Sequence, residues 1–394
     1  MTTTRRTFLA QAGAAAGALS LAPAALAGRT INAKKQRILI LGGTGFLGPH
    51  IVWDALERGH EVTLFNRGKT NPDLFDSLET LIGDRYSDYA SLSAAVAEGR
   101  TWDSVIDTFA YVPQVVEDAM AALKPAIDHY VVVSTMSVYA SSDEPNADES
   151  AALNEVTDEV SAAIPTHREV GVHYGAMKAR CEHAAERLMP GRVAIPRPGL
   201  ICGARDTTGR FSYWPVRASE GGTMIAPGTP DDPMQIIDVR DLAAFILGTI
   251  EDRATGPYNV VTAPGELTIG GAIAGSIAAA GAETTPEWIE AGFLASQGVQ
   301  AWQHMPAWVP PSTPGYAGFG LASTDRARAA GLSCRPVTET ARAVLEYYTT
   351  RPAILQEREG DAFDAEEWKR RIRGGLAPER EAEVLRAWAD RGGQ

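Results

Sequence analysis

The chain reads as an α/β protein, a doubly wound parallel sheet carrying a smaller substrate-binding lobe built mostly from its C-terminal half. Three observations predict this. Ile38 to Leu41 is a short apolar run bounded by turn residues, the pattern of a strand buried on both faces. It breaks at once into Gly42, Gly45 and Gly48, and an amphipathic run from Phe46 to Arg58 follows with helical spacing. Further strand-like runs then alternate with helical segments: Glu61 to Phe65, a short run ending at Leu81-Ile82, a helix from Ser87 to Ala97, Trp102 to Ala110, and His129 to Tyr139. Such alternation predicts right-handed strand–helix–strand units and a parallel sheet.

Taken in order, the chain opens on Thr4-Arg5-Arg6-Thr7-Phe8-Leu9, an Ala/Leu-rich stretch and Ala25-Leu26-Ala27. This is the pattern of a twin-arginine signal peptide cut after residue 27. Its stretch is short for a span of about 20 residues, so no stable membrane insertion is expected after cleavage. The mature protein is expected to be exported folded, with its cofactor aboard, to the periplasm or another extracytoplasmic space. Residues 28–36 read as a polar linker. The net charge of −13 argues against nucleic acid as a partner. Cys181, Cys202 and Cys334 include no C-x-x-C pair, so neither a metal site nor a disulfide framework is expected.

The glycines have separate tasks. Gly42 permits a tight turn, Gly45 allows main-chain N–H groups to approach a pyrophosphate, and Gly48 lets the helix pack closely. The helix N-terminus adds unpaired donors and a positive dipole end, with Thr44, Phe46 and Leu47 as neighbouring cofactor contacts. The second strand ends at Asn66-Arg67-Gly68-Lys69, where an acidic residue would favour NAD. Asn66 can bond a ribose, and Arg67 and Lys69 can pair with a 2′-phosphate, so NAD(P) is expected with a preference for NADP. Asp84, followed by Arg85, ends the third strand and either accepts from an adenine amino group or holds a turn. Thr108, Phe109 and Ala110 close the fourth strand over the cofactor, with Tyr111 reaching toward substrate.

The chemistry concentrates in two places. Ser134-Thr135 lies at the carboxyl end of the fifth strand, where open α/β sheets place their ligands. Tyr174 and Lys178 are four residues apart and share one face of a predicted helix. A phenol with a pKa of about 10 is a poor base at neutral pH, and a nearby ammonium lowers it. Lys178 is therefore expected to lower Tyr174 and to bond the nicotinamide ribose. Thr135, or Ser134 beside it, is expected to hold the substrate oxygen while Tyr174 exchanges its proton.

With Gly42, Gly45 and Gly48, Gly83-Asp84, Ser134-Thr135-Met-Ser-Val-Tyr139, Tyr174-Gly-Ala-Met-Lys178 and Arg197-Pro198-Gly199-Leu200 on the page, the chain resembles the short-chain dehydrogenase/reductase superfamily. The branch it resembles is the extended and atypical one of NAD-dependent epimerases and dehydratases. Arg210-Phe-Ser-Tyr-Trp214, Ala226-Pro-Gly228 and Gln235 to Leu242 are similar to a subgroup that includes isoflavone-reductase-like and chloroplast stem-loop-binding proteins. The resemblance covers roughly residues 37 to 349. It implies a Rossmann-type fold, a catalytic hydroxyl on Thr135, a segment including Pro198 and Leu200 over the nicotinamide, and homodimerisation through the helix of Tyr174 and Lys178. Two departures stand out: Asn66-Arg67 in place of the acidic ribose ligand, and Asp107-Thr108-Phe109-Ala110 in place of a His/Asn-rich strand end.

Residues 37–202, with 234–262, are thus expected to form the nucleotide domain, and residues 203–233 and 263–349 the substrate lobe. Arg210, Tyr213, Trp214, Trp302, His304 and Trp308 are the candidate substrate contacts of that lobe. Residues 350–394 read as a charged helical arm on the surface or in an oligomer contact. The activity expected is that of an NAD(P)-dependent oxidoreductase on a hydroxyl or carbonyl of a sugar, glycoside or phenolic compound. Little free cofactor is recycled outside the cytosol, so a redox-neutral epimerase, dehydratase or isomerase cycle with tightly bound cofactor is favoured. The same compartment argument disfavours nucleotide sugars. The alternatives are an NADPH-dependent reductase with exchangeable cofactor and a non-catalytic nucleotide- or RNA-binding protein on the same fold.

Overall fold

Alternate residues of the first strand, Arg37–Leu41 (β1), bury against opposite faces of one sheet: Ile38 and Ile40 enter one core, Leu39 and Leu41 the other. All four are fully buried, each stabilising the fold by roughly 1.5–3 kcal/mol relative to exposure. The computed structural model describes residues 34–391, so the expected signal peptide and most of the linker lie outside the described residues. Gln36, at the end of that linker, is instead built into the core. Its main-chain N–H donates to His60 Nδ1 at 3.2 Å, and its amide bonds Ile250 O and Ser104 Oγ at 3.1 and 3.0 Å.

The remaining strands of the sheet are Glu61–Asn66 (β2), Glu79–Ile82 (β3), Trp102–Asp107 (β4), Ile127–Val132 (β5), Val193–Pro198 (β6) and Gly256–Val260 (β7). They pair in parallel in the order β7-β6-β5-β4-β1-β2-β3. The order reverses between β1 and β4, where Leu41 lies beside Asp107. Diverging crossovers leave a crevice outside the carboxyl ends of strands at such a point. Helices Leu47–Glu57 (α1) and Val239–Glu251 (α5) cover one face. Ala90–Ala97 (α2), Pro113–Leu123 (α3) and Tyr174–Leu188 (α4) cover the other. The expected doubly wound architecture is present.

β4 and β5 stop earlier than the sequence runs predict. Asp107 Oδ1 takes the Phe109 N–H at 2.9 Å, turning the chain out of the sheet, and Thr135 caps a short helical turn over Met136–Val138. The Ser87 helix starts only at Ala90, because Asp84 to Asp88 closes a turn first.

A second core gathers Phe211, Trp214, Ile225, Ile273, Met305 and Val384 around a parallel pair of strands, Gly222–Pro227 and Thr284–Ile289. Helices Ile269–Ala280 (α6), Val337–Glu359 (α7), Ala365–Arg373 (α8) and Pro378–Arg391 (α9) complete this lobe. The C-terminal segment is therefore no surface arm. Glu381 of α9 is buried, pairs with Arg217 and accepts the Ile225 N–H at 2.9 Å. Arg373 of α8 grips Glu220 at 2.6 and 3.1 Å.

Candidate active site

The glycine turn is built as its sequence predicts. Gly42 has φ +114°, and a Cβ there would come within 2.5 Å of Thr108 Oγ1. A Cβ on Gly48 would meet the Gly43 main chain at 2.6 Å, so α1 seats directly on the turn. Gly45 faces open space, with nothing within 4 Å of a Cβ position. A turn closed below and open above, at a helix N-terminus, fits a pyrophosphate. Gly43, at φ +94°, is a further member that the three-glycine spacing does not single out.

Over this turn lies a cavity of about 380 Å³. Gly42, Thr44, Gly45, Phe46, Leu47 and Gly48 form one wall; Asn66, Arg67, Lys69 and Asp84 stand at the β2–β3 end; Phe109, Tyr111, Tyr174 and Lys178 lie beyond β4. Residues from five separate predicted segments thus meet at the switch point. Ala110, Pro198 and Leu200 are buried outside that wall, where Ile201 lines the cavity instead.

Several expected roles change. Asn66 donates to Gly42 O at 3.1 Å and accepts the Gly68 N–H at 2.8 Å, so both ends of its amide tie the turn together. Asp84 accepts the Tyr86 N–H at 2.9 Å, the turn-holding alternative. Arg85 touches the cavity, but its guanidinium is engaged beneath it by Asp107, at 2.8 and 2.6 Å. Tyr130 also donates to Asp107, at 2.5 Å. Thr108 donates its hydroxyl to Leu41 O at 2.9 Å, fastening β4 to β1.

At the reacting end, Ser134 donates its hydroxyl to Glu182, which is also held by Arg197 at 2.6 Å. Ser134 is therefore engaged, and the Thr135 hydroxyl is shared with Ser137, accepting its N–H at 3.2 Å and donating to its Oγ at 3.3 Å. Burial pushes the Tyr174 phenol above its ordinary value, and the Thr135 hydroxyl, within hydrogen-bonding reach, and Arg210 pull it back. Lys178 does not supply that pull. Its ammonium donates to Ala110 O at 2.7 Å and Val133 O at 2.5 Å and sits 5.3 Å from the Tyr111 ring centroid. Its charge falls on Tyr111, whose phenol is raised by burial and by Tyr174 and lowered by Lys178.

One wall residue, with the histidine it bonds, escapes the sequence reading. Tyr86 lines the cavity, and its hydroxyl pairs with His167 Nδ1 at 2.9 Å while accepting the His167 main-chain N–H at 2.8 Å. Burial pulls His167 below the usual histidine range, with Arg168 and Arg67 acting the same way. Phe109 packs edge-on to both rings, and Tyr111 continues the row to Tyr174 at 6.1 Å between centroids. Nothing near His167 in sequence signals this, and only the adjoining Asp84 hinted at Tyr86.

Most substrate candidates lie elsewhere. Tyr213 and Trp214 are fully buried in the second core, with Trp214 Nε1 donating to Pro306 O at 2.9 Å. Trp308 is buried against Asp232, at 2.8 Å. Trp302 is a surface ring against Phe319, and His304 Nδ1 accepts the Gln300 N–H at 2.9 Å. Aromatic side chains fill cores more often than pockets, and these do. Arg210 alone among them projects its field onto Tyr111 and Tyr174.

A parallel sheet with a glycine turn at its switch point, and a tyrosine and lysine one helical turn apart beyond it, defines a dinucleotide-dependent α/β enzyme. Residues 38–261 match the model of the NAD dependent epimerase/dehydratase family, and the chain belongs to that family. Among curated proteins, the chloroplast stem-loop binding protein of 41 kDa b of Arabidopsis thaliana is 33% identical over 123 residues, 28% of this chain. The match spans 32% of that relative, about a third of its length. Among solved structures, the Bordetella bronchiseptica enzyme WbmH in complex with NAD+ aligns with a TM-score of 0.57 at 18% identity, over 80% of this chain and 99% of that one. The UDP-glucuronic acid 4-epimerase of Bacillus cereus in complex with NAD aligns with a TM-score of 0.55 at 16% identity, over 79% and 98%. At such identities the structural likeness speaks for the fold.

Proposed function

We propose that the protein is an epimerase or dehydratase acting on a hydroxyl-bearing carbon of a sugar or glycoside, with its dinucleotide retained through the cycle. The observation that carries this is Tyr174, placed at the end of a cavity that runs from the glycine turn, with the Thr135 hydroxyl in hydrogen-bonding reach of its phenol. The nicotinamide dinucleotide, when bound, supplies reversible hydride acceptance. The chain's own residues do the rest. Tyr174 takes and returns the proton of the substrate hydroxyl, and Thr135 orients that oxygen by donating to it. Lys178, anchored on two strand-end carbonyls, keeps its remaining donor capacity for the cavity, where a ribose hydroxyl fits its chemistry. Phe109, Tyr111 and Tyr86 give the cavity an aromatic wall suited to the apolar face of a sugar ring. Membership of the epimerase/dehydratase family supports a sugar as the substrate class, as does the likeness to the UDP-glucuronic acid 4-epimerase.

A second reading, an NADPH-dependent reductase with exchangeable cofactor, draws on Arg67 and Lys69, which line the β2 end without pairing with a described carboxylate. Mass spectrometry of nucleotide released from protein purified without added cofactor tests the first reading. Near-stoichiometric dinucleotide supports it. An empty protein that exchanges added NADPH freely favours the second, and one that binds no dinucleotide removes both.

A further inference from the structure

A second cavity, of about 490 Å³, adjoins the first at the glycine turn. It shares Gly45, Phe46 and Thr70 with the first, and its outer wall is the C-terminal segment, with Arg351 and Arg358 from α7 and Arg371 from α8. Arg205, just past the Leu200–Cys202 strand, completes the wall. Two of these arginines, half-buried, keep a nitrogen without a partner, although the Arg205 guanidinium lies 5.8 Å from the Trp53 ring centroid. Arg205 Nε and Arg351 Nε are both buried without a hydrogen-bond partner. Burial pulls Arg205 below the usual guanidinium range; Tyr347 opposes it, and Arg351 and Arg358 each add a smaller push in the direction of burial. Three carboxylates also line this cavity: Glu359 is paired with Arg358, Asp364 accepts the Glu367 N–H at 2.8 Å, and Glu367 is the third. The Arg205 backbone holds a left-handed φ of +74°, unusual for a branched-chain-free but long side chain and costly unless something fixes it.

Like charges gathered in a cavity, with buried N–H groups unpaired, are stable when an anion joins them. Gly45 and Phe46, which lead into α1, border the same space. We propose that Arg205 and Arg351 hold the pyrophosphate of the dinucleotide from this adjoining cavity, so that α7 straps the cofactor in place. This rests on the dinucleotide reading above and deepens it. The C-terminal segment, which lies beyond the family match ending at residue 261, then belongs to the nucleotide site. It explains retention of the cofactor with no further lid.

Titration calorimetry on the full chain, freed of co-purified nucleotide, separates the possibilities. ADP-ribose carries the pyrophosphate without nicotinamide, and adenosine carries neither. Arg205→Gln and Arg351→Gln are each expected to weaken ADP-ribose by about tenfold or more, the loss of a charge-assisted contact, while adenosine binding holds. Arg205→Lys and Arg351→Lys should recover part of the affinity, and unchanged melting temperatures exclude misfolding as the cause. ADP-ribose affinity within twofold of wild type in both Gln variants would overturn the strap while leaving the dinucleotide reading intact. Inorganic phosphate that binds without competing with ADP-ribose, and is lost in the Gln variants, would assign the arginines to a separate anion and overturn it equally. A wild-type protein that binds no ADP-ribose removes the dinucleotide reading itself, and the strap with it.

Discussion

Arg85 and Asp107 form a buried two-point ion pair, at 2.8 and 2.6 Å, directly under the floor of the nucleotide cavity. Burial alone would raise the Asp107 carboxyl, but Arg85, Tyr130 and the Phe109 N–H hold it below its ordinary value. Removing one partner leaves the other charge buried without compensation. Arg85→Met should therefore cost about 3–5 kcal/mol of stability, and the Arg85→Met, Asp107→Asn double variant much less. Urea unfolding of the wild type, the two single variants Arg85→Met and Asp107→Asn, and the double variant checks this. Because the folded carboxyl is depressed, its contribution is complete above the unfolded value of about 3.9 and is lost as pH falls through the folded value. That acid limb should be missing from the double variant.

Tyr174→Phe removes the hydroxyl proposed to carry the proton and keeps the ring. Turnover is expected to fall by about 10²–10⁴-fold, with dinucleotide affinity nearly unchanged. Loss of binding with no specific loss of turnover would count against the assigned role.

Thr135→Val removes a hydroxyl that pulls the Tyr174 phenol down. With burial then less opposed, the Tyr174 pKa should rise. The base-limited arm of the profile of kcat/KM against pH should move to higher pH, in addition to any loss of substrate orientation. An unmoved arm would separate Thr135 from Tyr174.

Arg67→Ala tests the preference for a 2′-phosphate. One charge-assisted bond is worth roughly 1.5–3 kcal/mol, so NADPH should weaken by about tenfold or more while NADH changes little. Equal small effects on both cofactors would place Arg67 in solvent.

His50 of α1 bonds Ala204 O at 3.3 Å, and burial lowers its pKa to about 4. A histidine held neutral stabilises fully above its unfolded value of about 6.5, and that contribution shrinks as pH falls from there toward the folded value. From pH 7 to pH 4 the wild type should lose about 3 kcal/mol through this group. His50→Gln, with an amide donor in its place, should flatten that part of the stability profile in urea titrations at each pH.

What could be read in the sequence was local. The glycine turn, and the Tyr174 to Lys178 spacing, are short-range patterns imposed by one turn and one helix, and both stand where expected. The pairing of Tyr86 with His167 joins residues 81 apart in sequence, and no local pattern encodes it. Lys178 was expected to face Tyr174, yet its partners are carbonyls of β-strand ends that only the folded sheet brings near. Tyr213 and Trp214 misled for a different reason: an aromatic cluster looks alike in a pocket and in a core until its neighbours are known. The charged C-terminal helices read as solvated because charge in sequence does not reveal pairing. Arg217 with Glu381, and Arg373 with Glu220, are what carry those helices inward.

Tyr174, Lys178 and Glu182 recur every fourth residue on one face of α4, and each is fastened to a different piece: Thr135, the two carbonyls Ala110 and Val133, and the Ser134–Arg197 pair. A shift in register of one residue would turn all three by about 100° together. Tyr174, its neighbouring ammonium and the brace behind them thus move as a unit. A laboratory library aimed at new specificity should leave that face alone and be built on the wall of Phe109, Tyr111 and Tyr86.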